Sequence, residues 1–401
     1  MPWTIRVVIT IAALGLAFQL YAAHRITVAA SALTSWPRGR IRAITFIILL
    51  YPVLYPLSML GSLLFGYDSI YRKSSRVLDL FFTYPFWIGI VLAVQISFFL
   101  IAIDLVRLVL SGIYRKSRPD WLKFQPVLTL ALVVLTVGYC LYRVYTDTWT
   151  VRARHEAVVI HDLPPALNGF RIVQISDVHV DNRTNGRKLL AYINRANSYN
   201  ADVIVFCGDL VSSGTAYIEQ GAAAMGKLHA KYGVYACLGD HDFFSDPDLV
   251  TRSLEAHGIT VLRDKTLIVK VGSNEISLTG VTNVYRQPAS LEKLRTLELG
   301  RPDTGLDIFF THQPANWLVP WAAGAGYDLF LAGHTHGGQV AFPMPGFILT
   351  GSSTETHYVT GVFKMGDMPV SICNGLGETL APIRYQAPAE VTVIDVKSPN
   401  K

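Results

Sequence analysis

Residues 329–338 read LFLAGHTHGG. Leu329–Ala332 is an apolar run of strand length. It stops at Gly333, and two histidines two positions apart follow, His334 and His336, before Gly337 and Gly338. A strand that runs straight into imidazoles and glycines is the pattern of a ligand-bearing loop at the carboxyl edge of a sheet. The same device occurs four more times. Residues 172–179 read IVQISDVH, residues 203–209 VIVFCGD, residues 234–242 VYACLGDHD and residues 307–312 DIFFTH. Each is a short β-rich run followed at once by Asp, His or Gly-Asp.

Between these runs lie helical stretches. The pattern predicts helices near 187–198, 217–232, 247–257 and 314–323. The third is well punctuated, with Asp246 as cap, Pro247 at the first helical position and Gly258 past the end. A further strand is expected at Ile276–Thr279. A hairpin is expected from Tyr358–Phe363 and Pro369–Cys373 around Met365-Gly366-Asp367, and a last strand at Val391–Val396. Strands alternating with helices predict an α/β layered fold. No internal repeat or low-complexity segment is present.

The ligand candidates are Asp177, His179, Asp209, Asp240, His312, His334 and His336. Carboxylate with imidazole suits Mn²⁺, Fe or Zn²⁺. If Asp177 and His179 continue the strand, they share one face. Glycines before Asp209, Asp240 and His334 permit close backbone approach. Seven ligands exceed one tetrahedral zinc and suit two ions about 3.5–4 Å apart with a shared carboxylate. A single strand-end His or Gly-Asp is ordinarily a turn or a satisfied polar residue. Five at one edge are not. His24, His155, His161, His229, His257 and His357 fit no pattern and read as structural. Arg183 reads as a loop arginine that a phosphate could reach, and Asp242 as a turn acceptor.

The chain outside this region differs in kind. Of 401 residues, 51% are hydrophobic and only 16% charged, with a mean hydropathy of +0.34. Residues 1–147 hold 14 Lys/Arg against 5 Asp/Glu, a net of +9; residues 148–401 hold 21 against 24, a net of −3. The basic excess belongs to the apolar part, which excludes a nucleic-acid footprint on the polar part. Apolar runs near 5–23, 44–65, 80–103 and 125–142 approach the roughly 20 residues of a membrane span. They predict a transmembrane domain at 1–147 and a polar domain at 148–401, in a multi-pass inner-membrane protein. The loops after the first and third runs carry nine Lys/Arg and the opposite side seven, which puts both termini and the polar domain outside the cytoplasm. Asp104 and Arg107, at i and i+3 near the end of the third run, read as a pair at the headgroups. Four cysteines rule out a disulfide scaffold, and Cys207 and Cys237 read as buried thiols.

Taken together, these motifs resemble the calcineurin-like metallophosphoesterase superfamily. Gly337-Gly338-Gln339, Pro343, Gly375-x-Gly377 and Leu163-Pro164-Pro165 with Gly169-Phe170-Arg171 are similar to its bacterial, membrane-associated YaeI/YkuE-type phosphodiesterase branch. The resemblance spans about residues 150–397. It implies a four-layer αββα sandwich of two β-sheets flanked by helices. It implies that Asp177, His179 and His336 hold one ion, that His312, His334 and Asp240 hold the second, and that Asp209 bridges. It implies that His241 is not a ligand but a catalytic residue facing the leaving group or a phosphate oxygen. The family has Asn where this chain has Asp240. A carboxylate there lowers the net charge of the centre and holds its ion more firmly.

The expected function is a membrane-anchored, two-metal (Mn, Zn or Fe) phosphoester hydrolase. A hydroxide bridging the ions would attack phosphorus. The anchor points to a lipid or cell-envelope phosphoester. A UDP-diacylglucosamine-type pyrophosphatase is the enzyme alternative. A membrane receptor binding metal or nucleotide without turnover is the alternative from another class.

Overall fold

The computed structural model describes residues 3–65 and 76–399. The chain forms two compact units. One comprises Met1–Tyr145 with Leu380–Tyr385, the other Thr146–Thr379 with Gln386–Lys401.

The first unit is helical. Among the described residues, four stretches are long and apolar enough to cross a membrane: Ile5–Leu33, Arg38–Gly61, Asp79–Val109 and Asp120–Trp149. Each overruns its expected run at one end or both, because the polar residues there stay helical. The basic loop positions Arg72 and Lys73 lie outside the described residues. Two of the helices are interrupted for identifiable reasons. Arg38–Leu50 passes through a tight turn at Tyr51–Val53, which holds Pro52, before Leu54–Phe65 resumes. The third span opens with a wide turn at Asp79–Thr83 and continues as Tyr84–Val109. Pro85 has no N–H for the Phe81 carbonyl one turn back. The Tyr51 hydroxyl donates to that carbonyl instead, at 2.6 Å.

Asp104 is paired with Arg107, as the spacing predicts, at 3.6 Å. Its nearer partners come from the first helix. The Tyr21 hydroxyl donates to Asp104 Oδ2 at 2.9 Å, and Arg25 Nη1 forms an ion pair with the same oxygen. Helix-to-helix pairing of this kind cannot be read from spacing along one helix.

The second unit is built on fourteen strands. In chain order they are β1 (Arg152–Val159), β2 (Arg171–Ile175), β3 (Val203–Phe206), β4 (Val234–Ala236), β5 (Thr260–Val261), β6 (Lys265–Val271) and β7 (Asn274–Val281). Then come β8 (Asp307–Thr311), β9 (Leu329–Ala332), β10 (Phe342–Met344), β11 (Phe347–Leu349), β12 (Gly361–Met365), β13 (Met368–Ile372) and β14 (Glu390–Lys397). Two six-stranded sheets result, ordered β1-β14-β2-β3-β4-β5 and β12-β13-β9-β8-β7-β6. Strands β2 to β5 run parallel, as do β7, β8, β9 and β13.

The inner strands are apolar on both faces because both faces are covered. Val203, Val205 and Cys207 of the first sheet pack in one core with Ile308, Phe310, Leu329 and Leu331 of the second. Ile204 and Phe206 point the other way, against Leu189, Ile193, Ala222 and Leu254 of the helices Gly186–Asn197, Ile218–Met225 and Pro247–Ala256. Phe309 and Phe330 face Leu294, Leu318 and Val319 of Leu291–Gly300 and Leu318–Gly324. The order is helix, sheet, sheet, helix, the four-layer sandwich expected.

Asp246 caps its helix, accepting from the Leu249 N–H at 2.9 Å. All four cysteines are buried and free. The expected helix at 217–232 is shorter, because Gly226 ends it after Met225. The helix expected from Pro314 starts only at Leu318, since Asn316 accepts the His357 N–H at 3.0 Å and stays in a turn. Strands β1 and β6 carry no continuous apolar signal because they are sheet edges and are charged.

Gln174, on β2, points into the layer between the sheets. Its Nε2 donates to Ala332 O at 2.9 Å and its Oε1 accepts from Ser371 Oγ at 2.7 Å. One side chain thus ties both sheets directly beneath the loops that leave β2 and β9. Gln174→Leu should cost about 1–3 kcal/mol, because it strands the buried Ser371 hydroxyl, while Ala332 O keeps the Cys373 N–H. Denaturant unfolding of the purified protein measures this; an unchanged midpoint would contradict it.

Candidate metal centre

All seven sequence-selected residues converge at the carboxyl ends of β2, β3, β4, β8 and β9, with ligand-type atoms in four groups. These are Asp177–His179–His336, His179–Asp209–His241, Asp177–Asp209–His312 and Asp240–His312–His334; within each group the atoms lie within 4.8 Å of one another. His179 Nε2 and His336 Nε2 are 3.1 Å apart, and His336 Nε2 is 3.4 Å from Asp177 Oδ1. His334 Nδ1 is 3.1 Å and His312 Nε2 3.3 Å from Asp240 Oδ2. Asp209 Oδ2 stands between the two sides, 3.5 Å from His179 Nε2 and 3.4 Å from His312 Nε2.

The backbone achieves this by strain rather than by strand alternation. Asp177 and His179 do not continue β2. Both are left-handed, at φ 50°. Asp209, His334 and His336 are left-handed too, at φ 61°, 71° and 53°. Five of seven candidate ligands therefore sit where non-glycine residues are rarely found, which marks a functional constraint. His334 and His336 consequently diverge, one into each side of the site. The glycine argument holds: a Cβ on Gly239 would collide with the Asp209 carboxylate.

Three of the histidines, His312, His241 and His334, are aimed by their other nitrogen. His312 Nδ1–H donates to Cys207 O at 2.7 Å, which turns Nε2 into the site. His241 Nδ1–H donates to Ser212 O at 2.5 Å, and its Nε2 lies 3.4 Å from Thr379 Oγ1. The His241 backbone N–H donates to Asp209 Oδ1 at 2.7 Å. Asp242 is no part of these groups. It accepts the N–H groups of Asp209, Leu210 and Gly239, each at 2.9 Å, and so pins the β3 and β4 loops together. Gln339 does the same for residue 379: its Nε2 donates to Thr379 O at 2.8 Å and its Oε1 accepts the Thr379 N–H at 2.9 Å.

Sequence reasoning missed three residues around the His334 side. Glu355 Oε2 accepts from His334 Nε2 at 2.9 Å and from the Tyr285 hydroxyl at 2.6 Å. Gln313 Nε2 donates to Asp240 Oδ2 at 2.8 Å, and the Tyr285 N–H donates to Asp240 Oδ1 at 2.7 Å. None lies in a strand-end motif. Only Gln313 carried a signal, as the neighbour of His312. Arg183 contributes its backbone N–H to Asp181 Oδ1 at 2.7 Å, within a turn.

The electrostatics are those of a cation site. Burial raises the Asp177 carboxyl above its ordinary value. Burial also opposes ionisation of Asp209 and Asp240, but His312 with His241 outweighs it for Asp209, and His312 with His334 for Asp240, so both are held well below the usual range. Burial opposes protonation of His334, yet Asp240 and Glu355 push it up to about 9. Asp177 Oδ1 and His312 Nε2 are buried without a hydrogen-bond partner. Two atoms each about 2.1 Å from one ion, at ordinary coordination angles, are roughly 3.0–3.4 Å from each other. The separations of 3.1–3.5 Å match that spacing. The residues present therefore fit divalent cations.

Residues 170–338 match the family described as calcineurin-like phosphoesterase. The chain is 30% identical over 272 residues to the Bacillus subtilis (strain 168) protein named uncharacterized metallophosphoesterase YkuE, covering 65% of this chain and 90% of that one. It is 25% identical to a Danio rerio protein named transmembrane protein with metallophosphoesterase domain, covering 67% of this chain and 62% of that one. A solved 5'-nucleotidase precursor from Thermus thermophilus aligns with a TM-score of 0.35 at 15% identity, covering 56% of this chain and 54% of that one. The chain belongs to the calcineurin-like phosphoesterase family. It is a phosphoric ester hydrolase with a cluster of Asp and His that could hold metal, attached to a set of membrane-length helices.

This geometry has two measurable outcomes. His334 and His312 are both raised above an ordinary histidine, so the metal-free protein carries protons there at neutral pH. The pairing at His334 stabilises that form fully below about pH 6.5 and is lost as pH rises through about 9. An ion takes only the neutral imidazole. Loading should thus release protons, and apparent affinity should rise from pH 7 to 9; calorimetry in buffers of different ionisation enthalpy reads this, and a pH-independent affinity would contradict it. The second concerns Asp240, both of whose oxygens accept N–H donors. Asp240→Asn sets an amide NH₂ against one of them, so metal affinity on the His312–His334 side should fall about 10–100-fold. An unchanged binding isotherm would refute it.

Proposed function

We propose that the chain is a membrane-anchored, two-metal phosphoester hydrolase, with residues 1–147 as the anchor and residues 148–401 as the catalytic domain. The observation that carries this is Asp209 Oδ2, within 3.5 Å of His179 on one side and 3.4 Å of His312 on the other. One carboxylate oxygen facing both clusters is the arrangement a bridging ligand requires. In this reading Asp177, His179 and His336 hold one ion, Asp240, His312 and His334 the other, and Asp209 both. Two such ions supply an acidified water as nucleophile and neutralise charge on phosphoryl oxygens.

The chain's own residues do the rest. Ser212 O fixes the proton on His241 Nδ1, which leaves Nε2 as the atom facing the substrate. A proton held there can pass to the leaving oxygen, as a general acid requires. Thr379, gripped by Gln339, closes that side. Asp242 keeps Asp209 and His241 in register through the backbone of both loops. The attached membrane-length helices favour a lipid or cell-envelope phosphoester. The loop count of nine against seven basic residues favours a catalytic domain outside the cytoplasm, in the inner membrane.

Hydrolysis of bis-p-nitrophenyl phosphate by the detergent-purified chain tests the reading. Turnover should need Mn²⁺ or Zn²⁺, stop with chelator, and fall at least about 100-fold in Asp209→Asn. Hydrolysis unaffected by either would overturn it. A reporter fused after residue 401 tests the topology; activity confined to a cytoplasmic reporter would reverse it.

A further inference from the structure

Strands β10 and β11 form a two-stranded sheet of their own, joined to neither large sheet. Phe342 pairs with Leu349, Pro343 with Ile348 and Met344 with Phe347, and Gly346, at φ 86°, turns the chain between them. Phe342 is buried at the base. Beyond it Pro343, Pro345, Phe347 and Leu349 are exposed, and Met344 and Ile348 are partly so; Phe347 is 59% and Leu349 46% exposed. Both faces of the hairpin are therefore apolar and open. No charged residue occurs from Gly338 to Thr354, a stretch of 17 residues. A lone two-stranded hairpin is marginal in water, and this one has no polar face to offer it.

The hairpin rises from the site. Thr350 Oγ1 donates to Gly338 O at 2.7 Å, and Ser352 Oγ to Thr335 O at 2.9 Å. Glu355, three residues further, holds His334. The stretch leaving the hairpin is thus bonded at three points to the loop that bears His334 and His336.

We propose that the tip of the β10–β11 hairpin inserts into the bilayer interface and presents a lipid phosphoester to the metal centre. The occupant is a lipid surface for three reasons. The chain carries four membrane-length helices, so a bilayer is tethered to this domain at high effective concentration. An uncharged tip with Phe, Ile, Leu and Met on both faces suits immersion on all sides, which a lipid interface provides and a flat protein partner does not. Six residues also fall short of the roughly 800 Å² per partner that a stable protein interface takes. The substrate part of this inference rests on the phosphoester-hydrolase reading; the insertion part does not.

The test uses the full chain in phosphatidylethanolamine–phosphatidylglycerol vesicles. Phe347→Cys and Leu349→Cys are spin-labelled, the native cysteines being buried. Lys270→Cys, at an exposed position of β6, is the aqueous control. Labels at 347 and 349 should be open to oxygen and shielded from a soluble nickel chelate, the control the reverse. In parallel, the double variant Phe347→Asp/Leu349→Asp should hydrolyse bis-p-nitrophenyl phosphate at the wild-type rate. Its turnover of a fluorescent phosphatidyl diester in vesicles should fall at least about tenfold. Three results would overturn the proposal. They are nickel access at both labels, vesicle turnover untouched in the double variant, and label–label broadening that vanishes on dilution with unlabelled chain, which would make a second copy the occupant. Wild-type inactivity on both esters would instead sink the hydrolase reading, with the label accessibilities still deciding insertion.

Discussion

Three carboxylates buried side by side set the terms for the rest of the catalytic unit. Asp177, Asp209 and Asp240 are each at most 2% exposed. Isolated anions in such a place would cost many kcal/mol and would simply neutralise. Here they face four imidazoles at 3.1–3.5 Å, separations that suit ligands sharing a cation. Two parallel sheet segments are needed to bring the loops together, and five left-handed backbones to aim them. Gln174 beneath, Asp242 and Gln339 beside, and Glu355 outside all serve to hold that arrangement still.

Much of this was legible in the chain because the chemistry is local. A strand covered on both faces reads as a continuous apolar run, and the residues just past its end lie in a loop at the sheet edge. Asp177, His179, Asp209, Asp240, His312, His334 and His336 are visible for that reason. The mechanism of their placement was not. Strand alternation predicts a shared face for Asp177 and His179; the site instead uses left-handed turns, which leave no mark in residue type when the residue is Asp or His. Glu355 and Tyr285 were illegible because each meets the site through space, from loops with no periodicity; Gln313 was legible only as the neighbour of His312. The pairing of Arg25 with Asp104 was hidden likewise, since the i,i+3 partner Arg107 supplies a complete local explanation.

Membrane helices and hydrolase domain obey different rules in one chain. In the helical unit, prolines interrupt helices and a neighbouring hydroxyl repairs the lost bond, as Tyr51 does for Phe81. In the sandwich unit, left-handed residues are concentrated where the chemistry is. The β10–β11 hairpin belongs to the second unit by connectivity but has the composition of the first. That mismatch of surface and setting, beside the His334–His336 loop, is the observation on which the proposed insertion of the hairpin rests.

The most direct test of the account is electron paramagnetic resonance of the purified chain loaded with Mn²⁺. Asp209 shared between two clusters predicts an exchange-coupled pair of ions in each chain, with the coupling lost in Asp209→Ala. A single uncoupled ion per chain, or two that do not interact, would contradict the two-metal centre.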